Sequence, residues 1–140
     1  MKTAILYYTF GGKSRKEANH LATTEEQAEV FEVNEQKKRN MFTAIFSGCP
    51  KAAKRKCSKI QPLDCRLEEY EKIILLAPIW AGYPAPAFNA MVELLPSGKK
   101  VEIYLQSTSG QAPKSKEGTC QLIKDKGCEL IGYHDVKTGK

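Results

Sequence analysis

The longest apolar run in the chain is Ile73–Trp80 (IILLAPIW). It is far shorter than the roughly 18–20 residues a membrane-spanning helix needs, and its length is that of a strand. A strand with one wet face alternates polar and apolar residues, whereas Lys72–Ala77 is nearly continuous in its apolar character. That pattern belongs to a parallel sheet covered by helices on both faces.

The flanking segments agree. Lys2–Tyr8 is a short apolar run that stops at a glycine pair, and Ser14-x-x-Glu17 after it has the form of a capping box. Ala18, Leu21 and Ala22 follow at helical spacing, and Ala28–Val33 alternates like a half-exposed strand. Asn40 is placed to cap a helix carrying Met41, Phe42, Ile45, Phe46 and Cys49, with Gly48–Cys49–Pro50 ending it. Beyond the central strand come a helix over Pro84–Leu95, a strand over Val101–Leu105, a polar turn over Ser107–Gln111, a helix over Lys114–Lys126 and a strand over Cys128–Tyr133. Five strands alternating with four helices predict an α/β doubly wound, five-stranded parallel sheet. At 140 residues, 41% apolar and 27% charged, residues 1–140 read as a single domain.

The opening MKTAILYYTFGG lacks the apolar length and small-residue cleavage site of a signal peptide, so the protein is expected to be cytoplasmic and without a membrane segment. Five cysteines (Cys49, Cys57, Cys65, Cys120, Cys128) are an odd number at spacings that fit no C-x2-4-C metal pattern, which predicts reduced thiols and no metal site. The net charge is +6, and its source is local. Lys37, Lys38, Arg39, Lys51, Lys54, Arg55, Lys56 and Lys59 lie in a stretch with no acidic residue, while the rest of the chain has 14 basic and 16 acidic residues. Phe42 and Phe46 near this stretch share a helical face with Met41 and Ile45, which fits core packing better than base stacking, so nucleic acid is not the expected partner.

In doubly wound sheets, ligands sit outside the carboxyl ends of the strands, where strand order reverses. Three such ends here carry unusual loops. Thr9, Phe10, Gly11, Gly12, Lys13 and Ser14 follow the first strand: hydroxyls at both ends, two glycines and a helix start suit a phosphate. This loop matches neither G-x-G-x-x-G nor G-x-x-x-x-G-K-[ST], which removes the main support for dinucleotide and P-loop readings. After the central strand come Pro78, Ile79, Trp80, Ala81 and Gly82, with the chain's only tryptophan. Its indole either folds onto the core or forms a planar wall, where stacking is worth about 1–3 kcal/mol per ring in comparable nucleobase cases. Ser107, Thr108, Ser109 and Gly110 follow the next strand and offer hydroxyls and backbone N–H groups.

Together these segments resemble the flavodoxin family. YYTFGGKS is similar to the family's phosphate loop, APIWAGYPAPAFNAMVELL to the loop and helix carrying the ring-stacking tryptophan, and YLQSTSGQ to its third flavin loop. The resemblance implies strand order 2-1-3-4-5 and one FMN. Thr9 to Ser14 would hold its phosphate, and Pro78 to Gly82 with Ser107 to Gly110 its isoalloxazine. The chain departs from the family at four points. Gly11 stands where a hydroxyl residue is usual, removing a side-chain hydrogen bond worth about 1–3 kcal/mol to a charged acceptor. Gln111-Ala112-Pro113-Lys114 has no aromatic to cover the second ring face. Lys140 comes just past the fifth strand without the usual C-terminal helix, so a partner or a second copy in a homodimer is expected to cover one sheet face. The charge is not acidic.

Two functions remain open. In one, NAD(P)H or another donor reduces the flavin, which passes electrons to a quinone-like small-molecule acceptor or a redox partner protein. In the other, the chain is a non-catalytic electron carrier or an FMN-dependent interaction module docking through residues 37–59. No general acid or base stands out: His20 falls on the first helix and His134 in the tail.

Overall fold

In the computed structural model, residues 2–9, 12–25, 27–37, 40, 43 and 47–138 are described. The strands are β1 (Thr3–Tyr7), β2 (Ala28–Glu32), β3 (Lys72–Trp80), β4 (Tyr83–Pro84), β5 (Lys100–Ser107) and β6 (Glu129–Lys137). The helices are α1 (Lys13–Thr24), α2 (Cys49–Ala53), α3 (Pro86–Glu93) and α4 (Pro113–Asp125). The sheet runs β2-β1-β3-β5-β6 with all four of these pairings parallel, and β4 pairs antiparallel with β3 alone. Setting aside the two-residue β4, this is the doubly wound 2-1-3-4-5 order, and the fold is flavodoxin-like.

The apolar run explains the centre of the sheet. Ile73, Ile74, Leu75, Leu76 and Ala77 are all fully buried, with alternate side chains facing opposite layers. Ile74 and Leu76 join Ile5 and Tyr7 against Ala18 and Leu21 of α1. Ile73 and Leu75 join Ala4, Leu6, Val101 and Ile103 in the core that holds Phe88 and Met91 of α3 and Ile123 of α4. Burying side chains of this kind stabilises by about 1.5–3 kcal/mol each. Nearly every residue of α3 is buried, because a further segment crosses its outer side: Ser58 N–H donates to Pro86 O at 3.4 Å and Asn89 Nδ2 to Lys56 O at 3.1 Å.

Several local expectations are corrected. Helix α1 is capped by Gly12 in the left-handed region, not by Ser14, which lies inside the first turn. The chain does not leave the helix at Gly48–Cys49–Pro50: helical backbone continues through α2 to Ala53. Asn40 does behave as a cap, exchanging hydrogen bonds with Thr43 through Oδ1 and N–H, both 2.9 Å; Met41, Phe42, Ile45 and Phe46 lie outside the described residues. Strand β3 reaches three residues further than Ala77, and β6 extends to Lys137, so His134 belongs to a strand.

On the α1 side, β5 and β6 present polar groups. His134 Nε2 meets Glu102 Oε2 at 2.7 Å, and the His134 ring stacks on Tyr104 at 4.3 Å. Lys72 Nζ lies 3.2 Å from Glu102 Oε1 and 2.9 Å from Glu25 Oε1. Lys72 thus ties β3 both to β5 and to the end of α1.

Candidate functional site

Successive crossovers lead from β1 to β2 on one side and from β3 to β5 and β6 on the other. The reversal lies between β1 and β3, so the loop after β1 and the loop after β3 flank the switch point where doubly wound sheets bind ligands. The loop after β5 stands beside them, since β5 pairs with β3. The structure thus brings the three sequence-identified loops to one end of three neighbouring strands. Phe10 and Gly11 lie outside the described residues.

In the first loop, Thr9 Oγ1 accepts the Gly12 N–H at 2.7 Å. A hydroxyl that accepts still has its own proton to donate. Gly12 has φ +89°, and among the described residues a Cβ built on it would meet nothing within 4 Å. The first α1 hydrogen bond runs from Lys16 N–H to Gly12 O; the N–H groups of Lys13, Ser14 and Arg15 precede it at the positive end of a 12-residue helix with no acidic residue in its first turn. The two polar side chains at the end of the loop are otherwise engaged. Ser14 Oγ donates to Gln106 Oε1 at 2.5 Å, and Lys13 Nζ donates to Thr138 O at 3.1 Å. Gln106 Nε2 also donates to Lys13 O at 3.2 Å, so this buried glutamine joins the start of α1 to the end of β5.

The second loop is a two-residue hairpin. Ile79 pairs with Pro84 and Trp80 with Tyr83, and the connecting Ala81 and Gly82 have φ +53° and +91°. Two positive φ values suit the right-handed twist of the flanking strands. Trp80 therefore sits at the tip of a strand extension, half-buried, and meets the Tyr8 ring edge-on at 5.9 Å. Tyr8 Oη donates to Glu35 Oε1 at 2.5 Å, fixing the tyrosine behind the tryptophan. In the third loop the Gly110 N–H is not free: it donates to Ser107 Oγ at 3.0 Å. Ser109 Oγ donates to Gln111 O, and Gly110 abuts Lys137, whose Cβ would lie 2.8 Å from an added Cβ. Thr108 and Ser109 are exposed.

Gln106 and Glu35 were not singled out by sequence reasoning. Each is a buried polar side chain whose partner lies 92 or 27 residues away, and nothing local in the pattern marks such a pairing.

No model of a known protein family matches the sequence, and neither does any curated protein sequence. Solved structures do share the fold. A flavoprotein from Lactobacillus acidophilus NCFM, crystallised in complex with FMN, superposes with a TM-score of 0.78 at 23% identity, over 94% of this chain and 91% of that one. Flavodoxin 1 from Bacillus cereus gives 0.55 at 18% identity, over 100% and 88%. A flavodoxin, WrbA-like protein from Agrobacterium tumefaciens gives 0.60 at 14% identity, over 93% and 76%.

Proposed function

We propose that the chain binds one FMN across the ends of β1, β3 and β5 and transfers electrons through it. The observation that carries this reading is the convergence of a left-handed Gly12 at the N-terminus of α1 with Trp80 across the switch point. The residues fit the group. The phosphate needs backbone donors and one hydroxyl, for which Lys13, Ser14 and Arg15 N–H and Thr9 Oγ are suited. The isoalloxazine needs a flat wall and polar partners, for which Trp80 and the Ser107–Gly110 loop are suited. The fold shared with a protein crystallised with FMN supports the same choice.

When bound, FMN supplies reversible electron transfer; the protein supplies position, water exclusion and charge. Tyr8, held by Glu35, packs edge-on against the indole, and Gln106 ties the start of α1 to the end of β5. Gln111-Ala112-Pro113 offers no aromatic to cover the outer ring face, which leaves room for a hydride donor such as NADH or NADPH and for a quinone-like acceptor. Oxidation of either nicotinamide by the FMN-loaded protein in the presence of a quinone distinguishes this oxidoreductase from a carrier that needs a protein partner.

The deciding experiment is the visible spectrum of protein reconstituted with FMN. Flavin bands and quenched flavin fluorescence are expected, and Trp80→Ala should release the quenching and weaken binding about tenfold or more, given roughly 1–3 kcal/mol of stacking. A folded protein that fails to retain FMN at micromolar concentration refutes the proposal.

A further inference from the structure

Strand β6 is the outermost strand on its side of the sheet, and among the described residues it pairs with β5 alone. It is nine residues long, against five for β2 at the opposite edge. None of its residues is buried, and Ile131, 44% exposed, is one of the few large apolar side chains that stand in solvent. The backbone of β6 is half used. Thr138 N–H donates to Ser107 O at 2.9 Å, and a parallel ladder alternates from there, so Val136 and His134 turn their N–H and C=O groups toward β5. Lys137, Asp135 and Tyr133 turn theirs outward, where no described residue meets them. The one irregularity in the β5–β6 register lies between Val101 and Glu102, opposite Leu130 and Gly132, so the stretch from Tyr133 to Lys137 is regular.

An unpaired edge of this length is a template for a further strand. Charged side chains on an edge repel a neighbour of like sign, and β6 carries Glu129, Asp135 and Lys137. Their order decides which neighbour is accepted. Laid antiparallel on itself about Tyr133, the sequence ELIGYHDVK overlaps over all nine residues, and no other centre achieves this. That register sets Glu129 of each copy opposite Lys137 of the other, which places a pair of opposite charges at both ends of the contact. Both side chains are exposed and free to pair. At the centre, Tyr133 of each copy meets Tyr133 of the other, and their outward N–H and C=O groups satisfy one another as an antiparallel pair requires. A parallel copy in the same register would instead set Glu129 on Glu129 and Lys137 on Lys137.

We infer that β6 is a dimerisation edge, through which a second copy of this chain pairs antiparallel about Tyr133 to extend the sheet across a twofold axis. The joined sheet then runs β2-β1-β3-β5-β6 in one copy and continues with the reverse order in the other. Because the two β6 strands point in opposite directions, the strand ends that carry the three loops lie at opposite borders of the joined sheet, and neither copy obstructs the other's switch point. The contact does not rest on the proposed function.

Sedimentation velocity of the full chain over a concentration series, with hydrogen exchange followed in parallel, tests the contact. A monomer–dimer equilibrium is expected, with the amides of Tyr133, Asp135 and Lys137 exchanging more slowly as the dimer fills. Glu129→Lys and Lys137→Glu each put two like-charge pairs where two opposite ones stood, and each should raise the dimer dissociation constant about fivefold or more at low salt. The double variant Glu129→Lys/Lys137→Glu rebuilds both pairs with the signs exchanged and leaves the net charge unchanged. It should return to within about twofold of the wild type, and its recovery shows that both substitutions are compatible with the fold. A chain that stays monomeric at the highest attainable concentration overturns the inference. So does a dimer whose β6 amides exchange at the monomer rate, since the contact then lies elsewhere. A double variant that dimerises no better than the single ones overturns it as well, by breaking the register. The flavin reading fails separately, on the spectrum.

Discussion

Gly12 holds φ +89° at the entrance to α1, where an L-residue with a Cβ is strained by roughly 1–2 kcal/mol. The strain lies in the backbone, because among the described residues the added Cβ would touch nothing within 4 Å. A residue such as valine would therefore push the loop out of the left-handed region and turn the first α1 N–H groups away from their common focus. Gly12→Val should weaken FMN about tenfold or more, following that strain, while riboflavin, which has no phosphate, loses little. Fluorescence titration with the two ligands measures the difference, and an equal loss for both would show that the loop does not hold the phosphate. Thr9 matters in the same place for a different reason, since its Oγ1 already fixes Gly12 and keeps a proton to donate.

At the scale of elements, Arg55 ties the basic segment to the rest of the fold. Its backbone is left-handed at φ +53°, Nη1 donates to Thr119 Oγ1 at 3.0 Å, Nη2 to Ser115 O at 2.9 Å, and the guanidinium lies over Tyr83 at 5.5 Å. Gly118 in α4 makes this approach feasible, since a Cβ there would come within 2.9 Å of Nη2. Arg55→Ala should lower stability by about 1–2 kcal/mol, as expected for partly solvated charge-assisted bonds, and a urea midpoint reads it. The ion pairs on the α1 side act between strands. Burial alone would raise the Glu102 carboxyl, but the hydrogen bond from His134 and the charge of Lys72 outweigh it and hold the group below its ordinary 4.5. A carboxylate depressed on folding stabilises fully above its unfolded value and loses that contribution as pH falls through the folded one. Urea midpoints should therefore fall below pH 4.5 more steeply for the wild type than for Glu102→Gln, and parallel curves would contradict the assignment. The strands were legible because Ile73–Ala77 and Lys2–Tyr8 announce burial in their composition alone. The hairpin at Ala81–Gly82 was not, because alanine at positive φ runs against propensity and is imposed by the pairing of Trp80 with Tyr83. Ser14 matched a capping box in sequence, yet its hydroxyl answers to Gln106 across the sheet, so a local motif lost to a tertiary partner.

For the whole molecule, the charge distribution is uneven: the excess of positive charge lies between residues 37 and 59, and the remainder carries slightly more acid than base. The structure divides that excess by role. Among the described residues Arg55 is half-buried and structural, Lys37, Lys51 and Lys59 are exposed around a pocket that Cys57 also lines, and Lys54 and Lys56 are exposed outside it. If electrons pass to or from an acidic partner protein, the exposed pair guides the encounter. Such fields are screened over about 8–10 Å at ordinary ionic strength and act on association rate more than on final affinity. Lys54→Glu/Lys56→Glu should then slow electron transfer with the partner at low salt and flatten its salt dependence. FMN affinity should not change, since neither residue belongs to the flavin loops, and the fold should hold because Arg55 is left in place. Stopped-flow rates across a salt series, with FMN titration alongside, test this directly. An unchanged rate at low salt would reduce the two lysines to a solvated face.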